Sequence, residues 1–253
     1  EHLDVVMDVL TDMLRNSLLD PEELAREQNV VLEEIKRYKD QPDDTVHDVF
    51  QSTLWSSHPL GRPVIGVAST VAALNDQDLR NYISTHYTPN RIVVSAAGNV
   101  DHNDVVKLAE TYLGDMGGNS PKPKVKKPVS SGKSKIVRQR TEQVHFCYGS
   151  TSYAQNDKNR YVLTILDTVL GGNMSSRLFQ EIREKRGLCY SIYSSAWGLS
   201  DSGLLSVHAA TGSDMLDQLI GVLAEEIERA AGELPGEREV QRAKAQMKAG
   251  LLM

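Results

Sequence analysis

The sequence predicts an α+β protein made of two similar halves, and three observations carry the prediction. Strand-like runs adjoin one another instead of alternating with single helices, helical runs come in consecutive pairs, and the opening of the chain repeats faintly at its end. Adjoining strands favour an antiparallel sheet with helices packed on it over a doubly wound parallel sheet. A length of 253 residues suits two ordinary domains around sizeable cores.

Leu3, Val6, Met7, Leu10 and Leu14 recur at helical spacing. "LLDPEEL" then supplies Asp20 as N-cap, Pro21 at the first helical position and two glutamates in the first turn. That second helix runs to about Lys39, where "QPDD" breaks it, and Asp44 or Thr45 starts a third through Val46, Val49, Phe50 and Leu54. "SSHPLGRPVIG" reads as loop. A helix fits Asp76 to Tyr87, "RIVVSAAGN" reads as strand, and "DHNDVVKLAETYLGDM" returns to helical period with Asp101 as cap.

Residues 117–134 change character to a Pro-, Gly-, Ser- and Lys-rich run without periodic apolar residues, the composition of a linker. The division is therefore 1–116, linker 117–134, and 135–253. In the second half "KIVRQRT" and "VHFCYGST" read as strands, and "NRYVLTILDTVLGG" as a helix. A further helix, "SSRLFQEIREKRG", is capped by Ser175 or Ser176. "YSIYSSAWGL" and "GLLSVHAATG" form a strand pair, and two helices close the chain. The first of that pair is either an ordinary hairpin strand or an edge to which an extended peptide adds.

Hydrophobic residues at 40% and charged residues at 25% give the balance of an ordinary globular protein. A net charge of −6 provides no field to gather nucleic acid or anionic lipid, and the lysines of the linker lack interleaved aromatics. No apolar run is long enough to span a membrane. Cys147 and Cys189 form neither a CxxC site nor a disulfide framework, which fits a reducing, cytoplasmic setting. The chain opens without a methionine and stops in mid-helix, so it reads as a fragment.

On α-helical spacing Glu27, Val30, Val31 and Glu34 share one stripe, so two carboxylates stand among valines. A carboxylate on a buried stripe needs a cation, a donor or a metal. When the two-helix unit at the start is set on the one at the end, Glu23 falls on Glu239 and Arg26 on Arg242. Glu27 and Glu34 then fall on Ala243 and Gly250. The second copy has lost both acids, as expected of a duplicated domain with one working site.

"DPEELAREQNVVLEEI" and "LGGNMSSRLFQEIREKRGLCYSIYSS" resemble the insulinase/pitrilysin family of zinc metallopeptidases, and most closely its processing-peptidase branch. The resemblance covers essentially the whole chain. It implies two metallopeptidase homology domains: residues 1–116 as the C-terminal part of a catalytic-type one, and 135–253 as most of a non-catalytic, substrate-contacting one. The family binds Zn2+ through an inverted H-x-x-E-H motif with a downstream glutamate as third ligand. By resemblance that ligand is Glu34, and Glu27 is the supporting acid.

No H-x-x-E-H occurs in these residues, and "EH" at Glu1 and His2 lies where the family has no metal motif. The fragment is expected to bind no zinc and to be inert, whereas the resemblance implies that the full-length protein is a zinc endopeptidase. Arg183 and Tyr190 match a family pair that reaches toward bound peptide, and Arg177 reads as structural. The remaining histidines show no ligand spacing. The implied partners are a peptide or unfolded-protein substrate and a second copy or paired subunit. Two alternatives stay open: a non-catalytic partner subunit on the same fold, and a peptide-binding module.

Overall fold

The computed structural model describes residues 2–121 and 124–252. Glu1 of the "EH" pair, Lys122 and Pro123 of the linker, and Met253 lie outside the described residues. In chain order the helices are α1 (Leu3–Arg15), α2 (Pro21–Lys39), α3 (Pro42–Leu54), α4 (Ala68–Ala73), α5 (Asp76–His86), α6 (His102–Leu113), α7 (Arg160–Leu170), α8 (Leu216–Gly232) and α9 (Glu237–Leu252). The strands are β1 (Val144–Ser152), β2 (Ser191–Gly198) and β3 (Gly203–Thr211). A π-helical segment, Phe179–Glu184, precedes β2. By contacts the chain divides into one unit of Glu1–Ile35 and Ile65–Val125 and another of Lys36–Val64 and Lys126–Met253.

The first unit is helical among its described residues. Asp20 caps α2 as its position predicts, Oδ1 accepting from the backbone N–H groups of Glu22 and Glu23 at 2.8 and 3.2 Å. Asp101 does the same for α6 through Asn103 N–H at 2.8 Å. α1 packs on α6, and Arg15 bridges to Asp115 at 2.7 Å. Gln28 of α2 donates to the carbonyls of Val71 and Leu74, which fixes the approach to α4. The core here is thin: Met7 and Ile35 are its buried large apolar side chains, and Val5, Val9, Leu10 and Met13 remain exposed. The strand expected in "RIVVSAAGN" does not form. A strand exists only through its ladder, and this run finds no partner among the described residues, with Val93 and Val94 exposed.

The second unit holds the antiparallel sheet, in the order β1-β3-β2. β3 is central and buried along nearly its whole length, and Leu199 N–H to Ser202 C=O at 2.8 Å closes the β2–β3 hairpin. β2 is both a hairpin strand and an edge of this sheet. On one face Phe146, Ile192, Val207 and Ala209 pack into a core with Leu170 of α7, Leu178 and Ile182 of the π segment, and Leu219 and Leu223 of α8. α9 packs outside α7. The other face carries α3, whose Leu54, with the following Trp55, is buried against Leu204. Ser131 N–H donates to Leu54 C=O at 2.8 Å, and His58 Nε2–H donates to Lys126 C=O at 2.8 Å, so the later part of the Lys/Pro-rich run is tied to α3 and its loop.

Three local expectations are corrected here. α3 starts at Pro42, not at Asp44 or Thr45, because a proline at the first helical position brings a preset φ and lacks only an N–H that would be unsatisfied anyway. "KIVRQRT" pairs with nothing among the described residues, and Ile136 and Val137 are exposed. Neither Ser175 nor Ser176 caps the helix after "GGNM". Instead Asn173 Oδ1 accepts from Ser175 N–H at 2.7 Å, and the Ser176 hydroxyl is buried without a partner among the described residues.

Candidate functional site

The predicted residues fall in different units, Glu27 and Glu34 in the first and Arg183 and Tyr190 in the second. On α2, Glu27 and Glu34 are both exposed, and neither side chain makes a hydrogen bond or ion pair among the described residues. Val30 beside them is 51% exposed. The stripe that raised the problem of buried charge faces solvent, so that cost does not arise. At the repeat-equivalent position in the second unit Ala243 is 2% exposed, on the helix that packs against α7. A carboxylate there would be desolvated, which is a physical reason for its replacement by alanine.

Arg183 and Tyr190 come together. The Arg183 guanidinium lies 4.6 Å from the Phe179 ring centroid and 5.0 Å from that of Tyr190, stacked against two aromatic faces. Tyr190 is 78% exposed and stands just before β2. Phe179, four residues before Arg183, is the member that sequence reading missed. Its signal was the i, i+4 spacing on a helical run.

The backbone carrying these groups is fixed at both ends. Leu178 and Ile182 are fully buried and anchor the inner side of the segment. Lys185 N–H donates to Gln180 C=O at 3.0 Å, the i→i+5 bond of a π turn, a feature enriched at functional sites. Gly187, at φ +61°, takes the left-handed conformation that ends the segment, with its N–H on Arg183 C=O at 3.0 Å. Glu181 binds both Lys185 and Arg186, and these donors hold its carboxyl below the usual range. Arg177, read from the sequence as structural, makes a contact that ties the segment to the last helix. It reaches α9, donating from Nε and Nη2 to the two Glu239 oxygens at 2.9 and 2.8 Å. Those bonds, together with Gly236 N–H, hold Glu239 down to about 2. Arg183 opposes only slightly the burial that pushes the neighbouring Cys189 thiol up to about 11, so Cys189 stays protonated.

A guanidinium held against two rings and an exposed phenol form a donor pair on a rigid turn, open to solvent, suited to an electron-rich oxygen such as a peptide carbonyl. Metal binding is a separate matter. Among the described residues no group of three or more His, Cys, Asp or Glu side chains could hold a metal ion, and Glu34 is a lone carboxylate. These residues do not by themselves make a zinc centre.

Residues 73–247 match the family model described as the peptidase M16 inactive domain, and residues 1–68 match that of insulinase, peptidase family M16. The chain is 38% identical over 253 residues to the uncharacterized zinc protease YmxG of Bacillus subtilis, covering all of this chain and 62% of that protein. It is 36% identical to an uncharacterized zinc protease of Streptomyces coelicolor, covering 99% of this chain and 56% of that one. It thus spans roughly three fifths of the length of these relatives.

A solved protease from Helicobacter pylori superposes with a TM-score of 0.88 at 22% identity, covering 99% of this chain and 62% of that one. A peptidase M16 inactive domain from Pseudomonas fluorescens gives 0.87 at 18%, covering 96% and 60%. A chain of complex III2 from Candida albicans gives 0.84 at 18%, covering 99% and 62%. At these identities the structures establish the α+β fold. With nearly all of its length matched by two models of one family, the chain belongs to the insulinase family of peptidases, M16.

Proposed function

We propose that the full-length protein is a zinc-dependent endopeptidase that hydrolyses peptide bonds in extended or unfolded peptides held in a chamber between two similar halves. The residues of this chain alone are catalytically inert. The observation that carries the reading is the Phe179–Arg183–Tyr190 stack, on a family whose relatives are named zinc proteases. Arg183 and Tyr190 donate to the carbonyl oxygen of the scissile bond, whose negative charge grows as the carbonyl becomes tetrahedral. Donors aimed at developing charge contribute more to the transition state than to the bound substrate. Stacking limits the rotamers of Arg183, so less ordering is needed at the moment of reaction.

Glu34 would give zinc one carboxylate ligand, and Glu27, one face along α2, would act as its supporting acid. Zinc, once bound, supplies Lewis acidity and an activated water. Among the described residues these ligands do not complete a metal centre. The homology domains run 1–116 and 135–253, with 117–134 joining them. The protein works in the cytoplasm as a homodimer or with a paired subunit, and it engages neither nucleic acid nor membrane. In the described residues no helix is long and apolar enough to cross a membrane.

Two observations favour a second reading, a non-catalytic partner subunit: most of the chain matches the inactive-domain model, and one structural neighbour is a chain of complex III2 from Candida albicans. The two readings separate on an unstructured peptide substrate with the full-length protein. Tyr190→Phe and Arg183→Lys should each lower kcat by roughly 10- to 1,000-fold with little change in KM. Unchanged kcat in both variants would refute the role of the pair, and no cleavage by the parent would select the partner-subunit reading.

A further inference from the structure

The face of the sheet beneath α3 is unlike the other, apolar face. His208 on the central strand lies in one cross-strand row with Cys147 of β1 and Tyr193 of β2. His145, two residues along β1, shares that face, and α3 lays His47 over the row. The His208 ring centroid is 5.2 Å from that of His47, 5.9 Å from that of His145 and 5.0 Å from that of Tyr193. His208 is 4% exposed, and neither ring nitrogen has a hydrogen-bond partner among the described residues.

His47 is held from both sides. Cys147 Sγ lies 3.7 Å from its Nδ1 and the Tyr193 hydroxyl 3.1 Å from its Nε2. Burial pushes the Cys147 thiol up to about 12, so it remains a protonated donor to a neutral imidazole. The groups do not converge as metal ligands do.

A proton on His208 would put a positive charge in a buried seam between two other imidazoles. The charged groups facing it are few: Asp43, Asp44 and Asp48 on α3 favour cationic histidines, with Asp43 the one that acts on His208. Burial, His47 and His145 oppose a cation at His208 more strongly. The easiest relief is to move α3. The opposite face is a large core shared with α7, α8 and the π segment, whereas α3 is held by a small cluster of Leu54, Trp55 and Leu204 with Phe50, Leu60 and Leu199. Weakly packed layers open first.

We infer that the His47–His145–His208 seam is a proton-sensitive latch: α3 is seated on the sheet while His208 is neutral, and acid releases it. This inference does not depend on peptidase activity.

The sign follows from burial. His208 titrates near 4 when seated and near the ordinary 6.5 when released, so seating is complete above about pH 6.5 and is lost as pH falls toward 4. Those two values imply a roughly 20-fold rise in the opening equilibrium of α3 between pH 7 and pH 5.

Trp55, 1% exposed at the end of α3, reports the event. In the full-length protein with every tryptophan except Trp55 replaced by phenylalanine, acrylamide quenching of Trp55 and amide exchange of residues 42–54, corrected for intrinsic exchange, should both increase on acidification. His208→Leu should remove that response. NMR titration of His208 in the otherwise unaltered protein covers the case in which His208→Leu does not fold, and should give a midpoint near 4. Quenching and exchange that do not change between pH 7 and 5, a response that survives His208→Leu, or a His208 midpoint at 6 or above would overturn the latch.

Discussion

Replacing Glu239 with glutamine removes the carboxylate at which the π segment's leading turn and α9 meet. In the folded chain this carboxylate accepts two bonds from Arg177 at 2.9 and 2.8 Å and one from Gly236 N–H at 2.7 Å. Its pKa falls from 4.5 to about 2, with the Arg177 bonds as the largest cause and burial opposing them. The side chains are 12% and 26% exposed, so solvent screens the pair only in part. A depression of this size corresponds to a ceiling of about 3 kcal/mol at neutral pH. Because the folded-state pKa is depressed, that stability is fully present above about 4.5 and is lost as pH falls toward 2. Urea unfolding of the full-length protein and of Glu239→Gln, followed by far-UV circular dichroism, should differ by about 2–3 kcal/mol at pH 7. The gap should narrow by about 2 kcal/mol at pH 3. A difference under about 0.5 kcal/mol at pH 7, or one that stays constant down to pH 3, would show that the Arg177–Glu239 pair does not stabilise the fold.

Gly171 sits so close to β2 that a Cβ would fall 2.4 Å from the Ser194 backbone nitrogen, so Gly171→Ala should destabilise by about 1–3 kcal/mol in the same urea assay. Ile182→Ala empties a fully buried position beneath Arg183 and should lose about 2–5 kcal/mol. Phe179→Leu keeps the apolar contact but removes one of the two rings against Arg183. It should lower kcat of the full-length peptidase several-fold and leave the urea midpoint nearly unchanged, whereas Phe179→Tyr should retain both.

The sequence carried whatever is local. Asp20 and Asp101 were readable as caps because a cap acts within three residues, and the β2–β3 hairpin was readable because its strands adjoin. The proximity of Arg183 and Tyr190 came from the family resemblance, and the structure adds the ring that joins them.

What the sequence could not reveal depends on distant partners. "RIVVSAAGN" and "KIVRQRT" have strand composition, but composition does not say whether a neighbouring strand is present to pair with. The histidines showed no ligand spacing because His47, His145 and His208 meet only when α3, from the first half of the sequence, lies on a sheet from the second. Arg177 and Glu239, 62 residues apart, are a pair for the same reason. The stripe of Glu27 and Glu34 was identified correctly by spacing, yet spacing does not say which face of a helix is covered, and this one is open.

We propose that Glu34 serves a zinc peptidase of which this chain is part. Zinc content and peptide cleavage, measured on the full-length protein beside its Glu34→Gln variant, test that claim most directly. Bound zinc and cleavage are expected in the parent, with both sharply reduced in a variant of unchanged fold. A parent with neither zinc nor cleavage, or a Glu34→Gln protein that retains both, would contradict it.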